Sequence, residues 1–159
     1  SDVYKRQQNA ITNYCQAGGN FFVSGAYVAS DLWDNRLVKA NEEDKKFAME
    51  VLKYKWRVGQ AARNGKVKSV ASPFPEITGS YTYYQDLNPE SYVVESPDAL
   101  EPAAQGAFTI LRYSENNLSA GIAYKGNYKT CVLGFPFEAI RTVTERELLM
   151  KAILTFFEH

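Results

Sequence analysis

The side chains that usually carry nucleophilic catalysis are scarce in this sequence. Its one histidine is the last residue, His159. A serine or cysteine nucleophile needs a base of near-neutral pKa beside it, and the last residue of a fraying helix is poorly placed for that role. The two cysteines, Cys15 and Cys131, are too few and too far apart for a zinc site or a disulfide framework. We therefore expect no histidine-dependent triad, no bound metal and two free, buried thiols.

One serine nevertheless occupies a position that is typical of nucleophiles. Segment 22–27 puts Ser24 at the end of an apolar run, just before a turn of small residues. A nucleophile elbow holds a hydroxyl at such a place, beside backbone N–H donors. The match to GxSxG is incomplete, because Phe22 and Ala26 stand where glycines belong. A Ser-Gly pair after a strand is also an ordinary turn, so both interpretations stay open.

A second predicted strand exit, segment 134–138 (GFPFE), contributes a candidate acid. Its proline lies between two phenylalanines, which is typical of a chain that leaves a strand and turns over the sheet. Glu138 follows the proline by two positions. Its carboxylate could act as a site acid, or it could form an ion pair with Arg141 or Arg146.

Aromatic and charged side chains in the loops are candidates for binding a saccharide. Segment 72–105 holds five of the six prolines and four of the eleven tyrosines, and its lack of periodicity is typical of a functional loop or a surface excursion. Exposed tyrosines stack on sugar faces, whereas scattered ones more often cover the edge of a core. Acidic residues near Asp31 suit paired-carboxylate glycosyl chemistry, or they simply solvate a loop. The candidate binding residues are Tyr27, Asp31, Tyr83, Tyr84, Phe137 and Arg141.

The composition excludes several classes of function. The 159 residues suit one domain, and 18 lysines and arginines balance 18 acidic residues, whereas a nucleic-acid-binding surface is normally basic. No apolar run approaches the ~20 residues that cross a bilayer. Neither a GxGxxG nor a GxxxxGK(S/T) phosphate loop is present. We expect no cofactor, no nucleic-acid partner and no membrane span.

The elements that would position these residues follow from hydrophobic periodicity and turn residues. Helices are predicted before Gly18, from Asn41 to about Gly59, and at the end of the chain, where Thr144 and Glu147 fit a capping box. Strands are predicted at 20–24, 66–70, 92–94, 108–113, 120–124 and 128–133, with a loop at 26–40. Helices and strands alternate early and hairpins follow, which favours α/β layers around a mixed sheet.

Two of these segments together resemble a known family. Segments 18–25 (GGNFFVSG) and 134–138 (GFPFE) are similar to the two strand exits that mark class I glutamine amidotransferase-like domains. Carried over onto this sequence, the elbow cysteine of the family falls at or beside Ser24. The family's histidine falls on Phe135, its proline is matched, and its acid falls one residue before Glu138. The resemblance implies a scaffold in which every catalytic element is altered or displaced.

A degenerate version of this domain resembles the chain more closely. It occurs near the carboxyl end of large secreted bacterial proteins described as xanthan lyase or N-acetylmuramoyl-L-alanine amidase. The similarity covers residues 8–157, including segments 98–102 and 123–126. It implies a flavodoxin-like three-layer sandwich with a mixed, mainly parallel sheet, in which Ser24 and Glu138 meet at the carboxyl edge. It also implies a secreted, periplasmic or cell-surface location.

The resemblance and the first residues together predict a chain that was cut on its amino-terminal side. Segment 1–7 (SDVYKRQ) resembles the translated end of an adapter used in sequencing libraries, although a native lead into the first helix stays open. Residues 8–159 would then be the carboxyl-terminal portion of a single amidotransferase-like α/β domain. Its first βα units would lie upstream, which would leave a strand edge or face uncovered.

These observations lead to three hypotheses of function. The first is a non-catalytic accessory domain whose triad has decayed and which binds polysaccharide, peptidoglycan or neighbouring domains of its parent protein. The second is a hydrolase in which Ser24 works with Glu138 or with a lysine such as Lys125. The third is a carbohydrate-binding module that uses the tyrosines of segment 72–105. The missing histidine favours the first.

Overall fold

In the residues that the computed structural model describes, 2–25, 42–84 and 97–159, eight strands form two sheets. The helices are α1 (Asp2–Gln16), α2 (Glu42–Phe47) with a π-helical continuation (Ala48–Leu52), a 3-10 turn (Phe137–Ala139) and α3 (Val143–Glu158). The strands are β1 (Asn20–Ser24), β2 (Tyr54–Val58), β3 (Lys66–Ser69), β4 (Ser80–Thr82), β5 (Ala99–Pro102), β6 (Ala107–Tyr113), β7 (Ser119–Lys125) and β8 (Lys129–Leu133). The predicted loop at 26–40 and the predicted strand at 92–94 lie outside the described residues.

The larger sheet is mixed, and most of its strand pairs are antiparallel. Its order is β1-β8-β7-β6-β3-β4, with β1 parallel to β8 and the other neighbours antiparallel. The smaller sheet is the antiparallel pair β2-β5. The expected mixed α/β class is confirmed, whereas the expected mainly parallel sheet is wrong. The reason lies in the short connections at 114–118 and 126–128, because a parallel crossover needs roughly a dozen residues or more.

Both faces of the larger sheet are covered by other elements. Successive residues of a strand point to opposite faces, so Leu133 of β8 packs with Ile153 and Phe156 of α3. Val132 packs on the other side with Leu52, in a cluster to which α1, α2 and the smaller sheet also contribute. A strand that is buried on both faces presents side chains to a ligand at its ends.

The helix predicted from Asn41 to about Gly59 is wrong in its second half. The π-helical turn ends at Leu52, and Lys53 has a left-handed backbone with φ 68° that a regular helix does not accommodate. The next five residues, Tyr54–Val58, form β2 and pair with β5. Their aromatic and β-branched side chains favour a strand, and their partner strand lies far along the chain, outside any helical window.

The closing helix is capped by Thr142 and Glu145 rather than by the predicted Thr144 and Glu147. The N–H of Glu145 donates to Thr142 Oγ1 at 3.1 Å, and the Thr142 hydroxyl donates to the Glu145 carboxylate at 2.9 Å. The pair that forms, Thr142 and Glu145, and the predicted pair, Thr144 and Glu147, both have the spacing of a capping box. The pair that forms is the one whose glutamate also accepts the N–H of Thr82 in β4, at 3.0 Å. The cap therefore joins the helix to the edge of the sheet.

The other predicted elements within the described ranges are confirmed. The first helix ends before Gly18, whose left-handed backbone, φ 93°, glycine adopts at little cost. The predicted strands at 20–24, 66–70, 108–113, 120–124 and 128–133 correspond to β1, β3, β6, β7 and β8.

Cys15 and Cys131 are free and buried, and burial raises the pKa of both thiols. Strands β4 and β5 lie in segment 72–105, where the sequence shows little periodicity.

Candidate functional site

The two strand exits lie side by side at one end of the larger sheet. β1 and β8 are parallel neighbours, with Ser24 in register with Leu133, and the N–H of Gly25 donates to Leu133 O at 3.3 Å. Parallel strands end at the same edge of a sheet, so the residues that follow them are brought together. We call this region the carboxyl edge and define it as Ser24, Gly25 and segment 134–138.

Ser24 is bonded to the backbone of the second strand exit. Its Oγ accepts a hydrogen bond from the N–H of Phe137 at 3.0 Å, and this is the one hydrogen bond of the hydroxyl within the described ranges. The ring of Phe137 also packs edge-on against Phe22 of β1, with 6.1 Å between the centroids. A nucleophilic serine must give its proton to a base. The contact with Phe137 uses the Ser24 oxygen as an acceptor and removes no proton from it.

The two candidate bases outside the carboxyl edge lie at the opposite end of the sheet. Lys125 pairs with Lys129, the first residue of β8, and its Nζ donates to the backbone oxygen of His159 at 2.7 Å. Four residue steps of β8 separate Lys129 from Leu133, which is about 13 Å at the usual rise of a strand. Neither Lys125 nor His159 is therefore placed to take a proton from Ser24.

Glu138 is an exposed carboxylate beside the end of β1. The ion pair considered for it does not form, because Arg146 donates to Ile140 O at 2.5 Å and Arg141 Nε donates to Tyr83 O at 3.4 Å. Within the described part of the chain Glu138 has no hydrogen-bond or ion-pair partner. Its oxygens are therefore available to accept hydrogen bonds from a ligand.

Phe135, the residue onto which the amidotransferase resemblance would carry a histidine, is part of the core. Phe135 is fully buried, and its ring stacks on the ring of Tyr83 with 5.1 Å between the centroids and 14° between the planes. Tyr83, predicted as a binding residue, is also fully buried, and burial raises the pKa of its hydroxyl. Its ring faces Phe135 and the core, so in this conformation it cannot stack on a sugar.

Segment 97–100 packs against the start of the second exit. The N–H of Asp98 donates to Gly134 O at 2.7 Å, and the Tyr113 hydroxyl donates to Asp98 O at 2.6 Å. A side chain at Gly134 would collide with Asp98 O, so the close approach requires glycine. Burial, Tyr83 and Asp98 raise the pKa of Tyr113. The sequence offered one signal for this arrangement, a glycine directly after a buried strand.

Tyr84 and Arg141 form a stacked pair beside the 3-10 turn. The guanidinium carbon of Arg141 lies 4.9 Å from the centroid of the Tyr84 ring, within the range of a cation–π contact. The N–H of Tyr84 donates to Ala139 O at 2.9 Å, and the N–H of Arg141 donates to Thr82 O at 2.8 Å. These backbone bonds fix the pair to the segment that carries Glu138.

The structure places the candidate residues that it describes in two groups. Five of them lie together at or beside the carboxyl edge: Ser24, Tyr84, Phe137, Glu138 and Arg141. Tyr83 is behind them in the core. Tyr27 and Asp31 lie outside the described residues. No group of three or more metal-ligating side chains is found in the described chain, and no helix there is long and apolar enough to cross a membrane.

Comparisons with known proteins support a fold and not an activity. No family model matches the chain, and no curated protein matches it. Among solved structures, it resembles part of the exo-β-1,4-mannosidase Op5Man5 from Opitutaceae bacterium strain TAV5, with a TM-score of 0.51 and 8% sequence identity. The match covers 96% of this chain and 22% of the mannosidase chain. At that identity, the likeness concerns the fold alone.

Proposed function

We propose that this chain is a non-catalytic accessory domain of a secreted bacterial protein that processes glycans or cell-wall polymers. In this proposal its amidotransferase-type triad has decayed, and the carboxyl edge binds a saccharide of the polymer. Neighbouring domains of the parent protein pack against the remaining surface.

The observation that carries the proposal is the residue at position 135, where the class I amidotransferases would have their histidine. Phe135 stands there, buried under the ring of Tyr83, and among the described residues the Ser24 hydroxyl is hydrogen-bonded to the N–H of Phe137 and not to the Glu138 carboxylate. Acyl transfer through a serine requires a base at that point. A scaffold that keeps the two strand exits but fills the base position with core packing is suited to binding rather than to turnover.

The groups at or beside the carboxyl edge are of the kinds that recognise sugars. Glu138 offers acceptors to sugar hydroxyls, and Ser24 has a hydroxyl that can donate to one. Arg141 offers donors, and the Tyr84 ring offers an apolar face. Tyr84 also belongs to segment 72–105. The hypothesis of a carbohydrate-binding segment and the hypothesis of an accessory domain therefore both assign binding to this residue.

The structural likeness to Op5Man5 supports the proposed setting. That protein is named as a mannosidase, and the matched part is 22% of its chain. The same fold therefore occurs as a portion of a much longer glycan-active enzyme. An accessory role inside a larger glycan-processing protein agrees with that proportion.

We also propose that the domain is a flavodoxin-like relative of the class I amidotransferases. The support is the parallel β1–β8 pair, whose two exits lie at one edge, and the covering of both sheet faces by other elements. In this view the antiparallel strands β7, β6, β3 and β4 extend the sheet on the side away from β1.

Binding and turnover assays on the full chain test the proposal. Calorimetric titrations would use xanthan, β-mannan and soluble peptidoglycan fragments, with Tyr84→Ala as the site variant. Tyr14→Ala is the matched control, because Tyr14 is an exposed tyrosine on α1. We expect the wild type to bind at least one of the three glycans. Tyr84→Ala should weaken that binding, and Tyr14→Ala should leave it unchanged.

Glutaminase and esterase turnover would be measured on the same preparations. We expect no activity above background. A rate that Ser24→Ala abolishes would overturn the proposal and favour the serine hydrolase. A complete lack of binding to all three probes would overturn the glycan-binding role.

A further inference from the structure

Arg141 is held more rigidly than an ordinary surface arginine. Its backbone N–H donates to Thr82 O at 2.8 Å, its Nε donates to Tyr83 O at 3.4 Å, and its guanidinium lies over the ring of Tyr84. The backbone bond fixes the position of the residue, and the two side-chain contacts reduce the conformational freedom of the guanidinium before any ligand binds. Preorganisation of this kind lowers the entropic cost of binding.

Among the described residues, no acidic side chain forms an ion pair with Arg141. Glu145 is engaged with Thr82 and Thr142, and Glu138, three residues upstream of Arg141, forms no ion pair with it in the described chain. Arg141 itself is exposed. Its two terminal nitrogens therefore have no protein partner among the described residues, although its Nε and its planar face are both occupied.

We propose that Arg141 makes the carboxyl edge selective for glycans that carry a carboxylate, such as those that contain uronic acids. This inference rests on the proposed glycan-binding function. With Nε occupied, the two terminal nitrogens remain to donate two parallel hydrogen bonds to the two oxygens of a carboxylate. Glu138 would then accept from hydroxyls of the same or the next sugar ring, at a distance from the acid group.

The test compares an acidic glycan with the same glycan after its carboxyl groups have been reduced to alcohols. Xanthan and polygalacturonate are titrated into the full chain, each beside its carboxyl-reduced form. The variants are Arg141→Gln and Arg141→Lys. Arg57→Gln is the control, because Arg57 is an arginine on β2 whose ion pair with Glu101 lies in the smaller sheet.

We expect the wild type to bind at least one acidic glycan about tenfold or more tightly than its reduced form, the size expected of one charge-assisted pair. Arg141→Gln should bind both forms equally, at the level of the reduced glycan. Arg141→Lys should keep the charge but lose most of the preference, because an ammonium lacks the planar fork. Arg57→Gln should behave as the wild type.

The other outcomes separate this inference from the function on which it rests. Equal wild-type affinity for acidic and reduced forms overturns the selectivity and leaves glycan binding intact. No binding to either form, acidic or reduced, overturns glycan binding itself. If Arg141→Gln weakens binding to both forms by the same factor while its melting temperature is unchanged, Arg141 only positions Tyr84, and the carboxylate contact is overturned.

Discussion

The ring of Tyr83 lies almost parallel to the ring of Phe135, with 5.1 Å between their centroids, and both side chains are fully buried. Under the proposed relationship to the class I amidotransferases, Phe135 stands at the sequence position of the catalytic histidine. The Ser24 oxygen meets a backbone N–H of the same turn, that of Phe137, at 3.0 Å. The turn therefore binds the serine without activating it.

Introducing a histidine at position 135 should not confer catalysis. We expect Phe135→His to show no glutaminase or esterase rate, because its imidazole would lie in the core under Tyr83. The change should also lower the free energy of unfolding by about 2–4 kcal/mol, through lost packing and a buried polar group. Urea denaturation and turnover assays on the same preparation would measure both effects.

The matched variant for that prediction is Phe135→Leu, which keeps an apolar side chain. It should cost less stability than Phe135→His, because the apolar contact with Tyr83 is partly retained. A Phe135→His protein that is as stable as Phe135→Leu and turns over substrate would show that the position opens to solvent, contrary to the stack described above.

Gly134→Ala should destabilise the fold at the start of the second exit. An added Cβ would collide with the backbone oxygen of Asp98, and backbone cannot move aside as a side-chain tip can. We expect a loss of about 1–3 kcal/mol in the free energy of unfolding, measured by urea denaturation. Gly126→Ala is the control, because there the Cβ would meet the hydroxyl end of the half-buried Tyr124 side chain rather than backbone. Similar losses in the two variants would contradict the argument.

Much of the fold could be predicted from local patterns, and the errors have physical causes. Strong periodicity and clear turn residues predict five elements that are confirmed: strands β1, β6, β7 and β8, and helix α3. The second half of the helix predicted at 41–59 is wrong because pairing with β5 overrides a helical spacing. The mainly parallel sheet is an implication of the family resemblance alone, whereas the short hairpin connections favour antiparallel pairs.

The candidate site could be predicted only where side chains follow a strand directly. Ser24 and Glu138 were identified from the two strand exits, and the structure places the ends of these strands next to each other. The stacked pair of Tyr84 and Arg141 depends on backbone bonds between segments far apart in the chain. The burial of Tyr83 depends on the same packing. No local pattern reports which tyrosine of a loop faces the core.

Two Thr–Glu pairs with the same spacing lie at the start of α3, and only Thr142 and Glu145 form its cap. Thr142→Ala should lower the free energy of unfolding by about 1 kcal/mol, because Thr142 Oγ1 accepts the N–H of Glu145. Thr144→Ala should change it by only a few tenths, roughly, since Thr144 is exposed and inside the helix. Thermal denaturation of both variants gives the comparison. A larger effect at Thr144 would place the cap where the sequence pattern alone predicted it.

The carboxylate of Glu115 should make stability depend on pH in the acid range. It accepts the backbone N–H groups of Arg63 and Asn64, and these two bonds lower its pKa below the ordinary value of 4.5. A carboxyl group whose pKa is lowered in the folded state stabilises that state when ionised. The stabilisation is therefore complete above pH 4.5 and is lost as the pH falls through the lowered pKa.

Glu115→Gln removes this charge and tests the sign of the dependence. The difference in urea midpoint between wild type and Glu115→Gln should be largest at neutral pH and should shrink as the pH falls below about 4.5, where the unfolded carboxyl group is protonated. Glu147→Gln is the control, because Glu147 is exposed and its carboxylate has no hydrogen bond in the described part of α3. A difference that grows on acidification would mean that the protonated carboxyl group is the form bound by the two N–H groups, which is the reverse of what charge-assisted acceptance requires.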